Sequence, residues 1–105
     1  MTLDDVRRMA MKLLGTTESP HFRHTSFRVR GRIYATAPQE GGLLHVFVDE
    51  EDRDRMTVLN PGVYEKLGWG KKVVGLRVAL DAAKPEDVQA LLRAAWQRKL
   101  PGKRS

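Results

Sequence analysis

The amino-acid sequence predicts an α+β fold of two layers, a five-stranded antiparallel sheet with helices packed on one face. Apolar residues recur with a helical period near both ends of the 105-residue chain. Between these ends, several short segments alternate apolar and polar residues, as strands with one buried face do. The links between strands are of hairpin length, which favours antiparallel pairing. The predicted order is α-β-β-β-α-β-β-α, in a single domain spanning residues 1–105.

The N-terminal element is predicted as a helix from Leu3 to Leu14. Thr2 and Asp5 have the spacing of a capping box, and Gly15 is suited to the C-terminal cap. The apolar face of this helix consists of Leu3, Val6, Ala10, Leu13 and Leu14. A polar connection, Thr16–Pro20, follows it.

The next segment is predicted as a hairpin with a basic tip. Its strands are Phe22–Arg30 and Arg32–Thr36, and Gly31 is the tight turn between them. Period-2 geometry places Arg28 and Arg30 on the face opposite the apolar residues. A third strand, Leu43–Val48, is apolar on both faces, which indicates a more central position.

The second half begins with a short helix that is opened by acids at Asp49–Asp54 and ends at Asn60. A brief strand, Val63–Leu67, and a basic loop, Gly68–Lys72, lead into a strand over Val73–Leu80. The buried face of that strand is predicted to hold Val74, Leu76, Val78 and Leu80.

Pro85 starts the last helix, whose apolar stripe contains Val88, Leu91, Leu92 and Ala95. Residues 98–105 are predicted as a loose basic tail, since Pro101 and Gly102 break the helical pattern. The tail cations are Arg98, Lys99, Lys103 and Arg104.

The charge is basic and unevenly distributed. The formal net charge is +6, and residues 61–105 hold ten Lys/Arg against four Asp/Glu, whereas residues 1–60 hold nine of each. Two stretches contain no acid, Ser19–Gln39 and Lys66–Leu80. A surface that holds both would attract polyanions; the alternative is that the basic charge only keeps the domain soluble.

Two sequence motifs resemble those of the MmcQ/YjbR-like family. Ser19–Ala35, SPHFRHTSFRVRGRIYA, resembles the family segment that leads into FRVRGK-IFA. Gly68–Asp81, GWGKKVVGLRVALD, resembles its glycine- and lysine-rich loop followed by an alternating strand. Members commonly have a tryptophan at the start of that strand, where this chain has Val73 and Val74. With the first and last helices, the resemblance covers nearly the whole chain.

The resemblance implies a fold like that of type III secretion chaperones and of CyaY, with a five-stranded antiparallel sheet. It also implies a DNA-binding role. The residues themselves suggest which side chains would serve that role, because arginine forks grip phosphates and an exposed tryptophan stacks on unpaired bases. The predicted nucleic-acid-binding residues are Arg28, Arg30, Arg32, Trp69, Lys71, Lys72 and Arg77.

Nucleic-acid binding is expected to be largely independent of base sequence, since the amino-acid sequence contains no zinc-finger, helix-turn-helix or RNP signature. The alternative function is a small adaptor or chaperone-like module that binds a protein partner and no nucleic acid. We expect a cytoplasmic location, because the chain has no cysteine and no apolar run of transmembrane length. We also expect a monomer.

No catalytic constellation, cofactor or metal site is predicted. His24 and Ser26 would share a strand face, but the sequence places no carboxylate to orient the histidine. Gly68–Lys72 lacks the spacing of a P-loop. His21 and His24 fall on opposite faces of an extended strand, which does not suit a zinc site. The sequence therefore predicts a binding protein and not an enzyme.

Overall fold

A computed structural model describes residues 1–100, which form an α+β fold of three helices and a six-stranded antiparallel sheet. The helices are α1 (Leu3–Met11), α2 (Glu50–Leu59) and α3 (Pro85–Arg98). The strands are β1 (Thr16–His21), β2 (His24–Val29), β3 (Arg32–Pro38), β4 (Leu43–Val46), β5 (Tyr64–Trp69) and β6 (Lys72–Ala79). Their order in the sheet is β1-β2-β3-β4-β6-β5.

The prediction of five strands is wrong, because the segment predicted as a polar connection forms β1. This strand pairs with β2 from Thr16 opposite Val29 to His21 opposite His24. Pro20 is accommodated because β1 is an edge strand, whose free side needs no ladder hydrogen bond. Thr16 is the only buried residue of β1, so the strand shows no apolar alternation in the sequence. The element order is therefore α-β-β-β-β-α-β-β-α.

The pairing register gives the sheet two different faces. One row across four strands is apolar and consists of Phe27, Ala35, Val46 and Leu76. The adjacent row is polar and consists of Ser26, Thr36, His45 and Arg77. The apolar row belongs to one core with buried residues of all three helices, including Val6, Met56 and Leu91. The helices therefore cover the apolar face, and we call the opposite face the outer face.

The first helix has the predicted capping box. Thr2 Oγ1 accepts from the Asp5 amide, and Asp5 Oδ2 accepts from the Thr2 amide at 2.8 Å. The helix ends at Met11, three residues before the predicted end. Leu14, which was expected on the buried face, is therefore 83% exposed, because the helical phase does not continue to it.

The last helix begins at Pro85 and buries the four predicted apolar residues. It extends to Arg98, a residue that the sequence assigns to the tail. Residues 101–105, including Lys103 and Arg104, lie outside the described residues. No helix within residues 1–100 combines the length and apolar content that a membrane span requires.

Candidate functional site

The turn between β2 and β3 carries the basic tip that the sequence predicts. Arg30 and Gly31 both have positive φ, 54° and 80°, as a two-residue hairpin turn of type I′ requires. The left-handed conformation costs glycine little but strains an arginine. Arg30 is held there by the pairing of Val29 with Arg32.

The turn between β5 and β6 is shorter than predicted. Trp69 lies opposite Lys72, so the loop consists only of Gly70 and Lys71, and Trp69 is the last residue of β5. The indole of Trp69 is 80% exposed. An aromatic side chain and two lysines therefore project from one tight hairpin.

The two basic turns lie at the same end of the sheet. β4 is antiparallel to both β3 and β6, so β3 and β6 run in the same direction. Each of the two turns immediately precedes one of these strands, and both turns are therefore at the end where β3 and β6 begin. The fold thus brings the two acid-free stretches together, which the sequence left open.

A gap in the sheet separates the two turns. β3 begins at Arg32 and β6 at Lys72, but the strand between them, β4, ends at Val46. Its last pairs are with Ala35 and Leu76, so the first residues of β3 and β6 have no strand between them. The chain leaves the sheet at Phe47, whose amide still donates to the Tyr34 carbonyl at 3.1 Å.

A cavity of about 720 Å³ opens at this gap, and we call it the strand-gap cleft. It has apolar, polar and cationic side chains from both hairpins, from two helices and from the end of β1, and through Thr36 and His21 it extends onto the outer face. Its lining residues are His21, Ile33, Thr36, Phe47, Arg53, Trp69, Val73, Val74, Arg98 and Lys99. Within residues 1–100, the lining includes no aspartate or glutamate.

Two arginines of the cleft secure the point where the chain leaves the sheet. Arg98 Nη1 donates to the Phe47 carbonyl at 2.7 Å, and Arg53 Nη1 donates to the Val48 carbonyl at 2.8 Å. A guanidinium has five N–H donors, so each of these bonds uses only one of the five donors of its arginine. The remaining donors are suited to an anion such as a phosphate.

The cations near the cleft have no acidic partners among residues 1–100. Burial lowers the pKa of the Lys99 ammonium, and the neighbouring charges of Arg98 and Arg32 lower it further. Within residues 1–100, no carboxylate forms a salt bridge with the cations of this end of the sheet. These cations are Arg30, Arg32, Arg53, Lys71, Lys72, Arg98 and Lys99. Their mutual repulsion favours the binding of an anion.

Two predicted site residues lie elsewhere. Arg28 is on the outer face, and its Nε donates to Ser26 Oγ at 3.1 Å. Arg77 is also on the outer face and forms a salt bridge with Glu65 at 3.0 Å. Neither lines the cleft, whereas Trp69 does and Arg30, Arg32, Lys71 and Lys72 occupy the turns beside it.

Sequence reasoning missed the cationic side chains that the helices contribute. The sequence prediction places Arg98 and Lys99 in the tail, although they follow Ala95 by three and four residues and so continue the packed stripe of α3. Arg53 precedes the buried Met56 by three residues and lies on the same side of α2. Extending the helical period of α3 by one turn beyond Ala95 identifies Arg98 and Lys99. Extending that of α2 by one turn before Met56 identifies Arg53.

The outer face contains a second group of titratable residues. The rings of His24 and His45 lie 5.8 Å apart, and His45 Nε2 is buried without a partner in the described structure. Burial lowers the pKa of His45, and the charges of Arg77 and His24 add to this effect. Within residues 1–100, no three histidine, aspartate or glutamate side chains form a metal-binding cluster.

Comparisons with known proteins concern the family and the fold. The YjbR family model matches residues 11–98. A crystal structure of the Deinococcus radiodurans protein DR2400, with a DUF419 domain, superposes with a TM-score of 0.76 at 24% sequence identity. The match covers 89% of this chain and 74% of that one, and at this identity it shows a shared fold alone. A search of curated proteins found no match.

Proposed function

Because the chain belongs to the YjbR family and joins two basic hairpin turns at one end of its sheet, we propose that it is a nucleic-acid-binding protein. The basic end of the sheet grips phosphates, and binding is largely independent of base sequence. The observation that carries this proposal is the common direction of β3 and β6, which places both turns beside one cleft that, within residues 1–100, no carboxylate lines. The protein acts by binding and not by catalysis.

The electrostatics of this end suit a phosphate backbone. The arginines and lysines there have no acidic partner within residues 1–100, so a ligand does not have to displace an existing salt bridge. Arginine forks bind phosphate oxygens in two-point contacts, and lysines add point charges. Each phosphate that is neutralised releases counterions, and affinity therefore falls steeply as salt rises.

The test is fluorescence anisotropy with labelled single- and double-stranded DNA and RNA across a series of salt concentrations. The Arg30→Glu/Lys71→Glu double variant reverses one charge in each turn. We expect it to lose most of the affinity. On a duplex, the log-log salt slope should become shallower by about 0.9 for each phosphate that the variant no longer neutralises.

The matched control is Lys12→Glu/Arg93→Glu. Both residues are exposed on the helix layer, neither lines the cleft, and the net charge changes by the same amount. This control should retain nearly all the affinity. Equal losses in the two double variants would show a general charge effect and no site. Absence of salt-sensitive binding by the wild type would instead favour the protein-interaction module.

A further inference from the structure

The strand-gap cleft combines apolar surfaces with cations, and this combination restricts the possible ligands more than a basic patch does. Its volume of about 720 Å³ lies within the range of about 300–1,000 Å³ of small-molecule sites. Phe47 and Trp69 supply aromatic surface, and Ile33, Val73 and Val74 supply aliphatic surface. A phosphate backbone alone would leave these apolar surfaces exposed to solvent, whereas a flat aromatic group would cover them.

The aromatic surface is accessible from solvent. Trp69 is 80% exposed although it lines the cleft, so its indole has a free face. Burying a large exposed aromatic side chain against another ring is favourable, and it does not depend on which base provides the ring. The bases of a duplex are stacked and paired, and they present no free face to such a platform.

The cations lie beside these apolar walls. Lys99 is partly buried next to Arg98 and Arg32, and like charges in such proximity gain most from an anion placed among them. Within residues 1–100 the cleft contains no carboxylate that would repel that anion. The site therefore suits a ligand that carries both an aromatic ring and a phosphate.

Building on the nucleic-acid role, we propose that the cleft receives an unpaired base of a single strand, which stacks on Trp69 beside Phe47 while its phosphate contacts Arg98 and Lys99. The substrate class is single-stranded nucleic acid. Duplexes bind only through the basic turns.

The test compares a 12-nucleotide oligothymidylate with an abasic analogue that has the same number of phosphates, and with a 12-base-pair duplex. We expect the oligothymidylate to bind roughly 5- to 150-fold more tightly than the abasic strand, the range expected for loss of one stacked base. Trp69→Ala should remove most of this preference and leave the affinity for the abasic strand and the duplex unchanged.

The control variant is Phe22→Ala, which removes a 90% exposed aromatic side chain that does not line the cleft. It should keep the preference for the oligothymidylate. Because both side chains are exposed, neither substitution disturbs the core, and circular dichroism verifies folding. Lys99→Gln should weaken binding of the oligothymidylate more than binding of the duplex.

The outcomes separate the two proposals. Equal affinity for the oligothymidylate and its abasic analogue, with a steep salt slope, would overturn the base-binding cleft and leave the basic end as a phosphate site. Failure of every probe to bind would overturn both. Thymidine monophosphate that binds at micromolar concentration without displacing the strand would assign the cleft to free nucleotides and refute the single-strand assignment.

Discussion

The replacement of Gly75 by alanine tests how the sheet is built beside the cleft. A Cβ at this position would lie well inside 3.0 Å of the Val46 carbonyl oxygen, and 3.1 Å from both Cα and ring Cδ1 of Phe47. The first two of these atoms belong to the backbone, so no side-chain rotation relieves the clash. The end of β4 would have to move by several tenths of an ångström, which strains its pairing with β6.

The expected cost follows from two opposing effects. Overpacking costs about 1–3 kcal/mol, whereas alanine restricts the unfolded chain and returns about 0.4–1 kcal/mol. The free energy of unfolding should therefore fall by about 1–2 kcal/mol. With a urea m-value of about 1.5 kcal/mol/M, the unfolding midpoint should decrease by about 1 M.

Urea unfolding followed by circular dichroism measures this change, and Gly68→Ala is the matched control. Gly68 is also a strand glycine, but its nearest atom to an added Cβ is the Lys72 carbonyl oxygen at 3.6 Å, an ordinary contact. Gly68→Ala should leave the midpoint unchanged or slightly higher. A Gly75→Ala protein as stable as the wild type would refute the close approach of β4 and β6.

Three further changes test other parts of the structure by urea unfolding. Tyr34→Phe should cost about 1 kcal/mol, because it removes the 2.9 Å hydrogen bond between Tyr34 Oη and Thr16 Oγ1. Tyr64→Phe should be neutral or stabilising, since its buried hydroxyl has no partner in the described structure. Equal losses in the two would contradict these assignments. The Arg7 guanidinium lowers the pKa of Glu18 from 4.5, so Glu18 stabilises the fold above that pH and less as pH falls below it. The stability difference between wild type and Glu18→Gln should shrink in acid, and a difference that widened would contradict the ion pair.

The elements that local chemistry specifies could be predicted closely. The capping box of α1, the Pro85 start of α3 and the Arg30–Gly31 turn each depend on a few neighbouring residues, and each is present in the structure. The sequence does not predict β1, because this strand depends on its neighbour in the sheet and not on local chemistry. Its polar residues form a strand only because β2 lies beside them, and an edge strand with one buried residue leaves no alternating pattern.

The candidate site likewise has some features that short segments specify and others that depend on the tertiary structure. The sequence by itself determined the basic hairpin tips, Trp69 next to Lys71 and Lys72, and the family motifs, because these features lie within short continuous segments. Only the tertiary structure decided that β3 and β6 run in the same direction, that β4 stops at Val46, and that α3 brings Arg98 and Lys99 to the gap. These relations depend on pairing between residues far apart in the chain, and the free energy that selects them comes from burying one shared core, to which no single segment contributes enough.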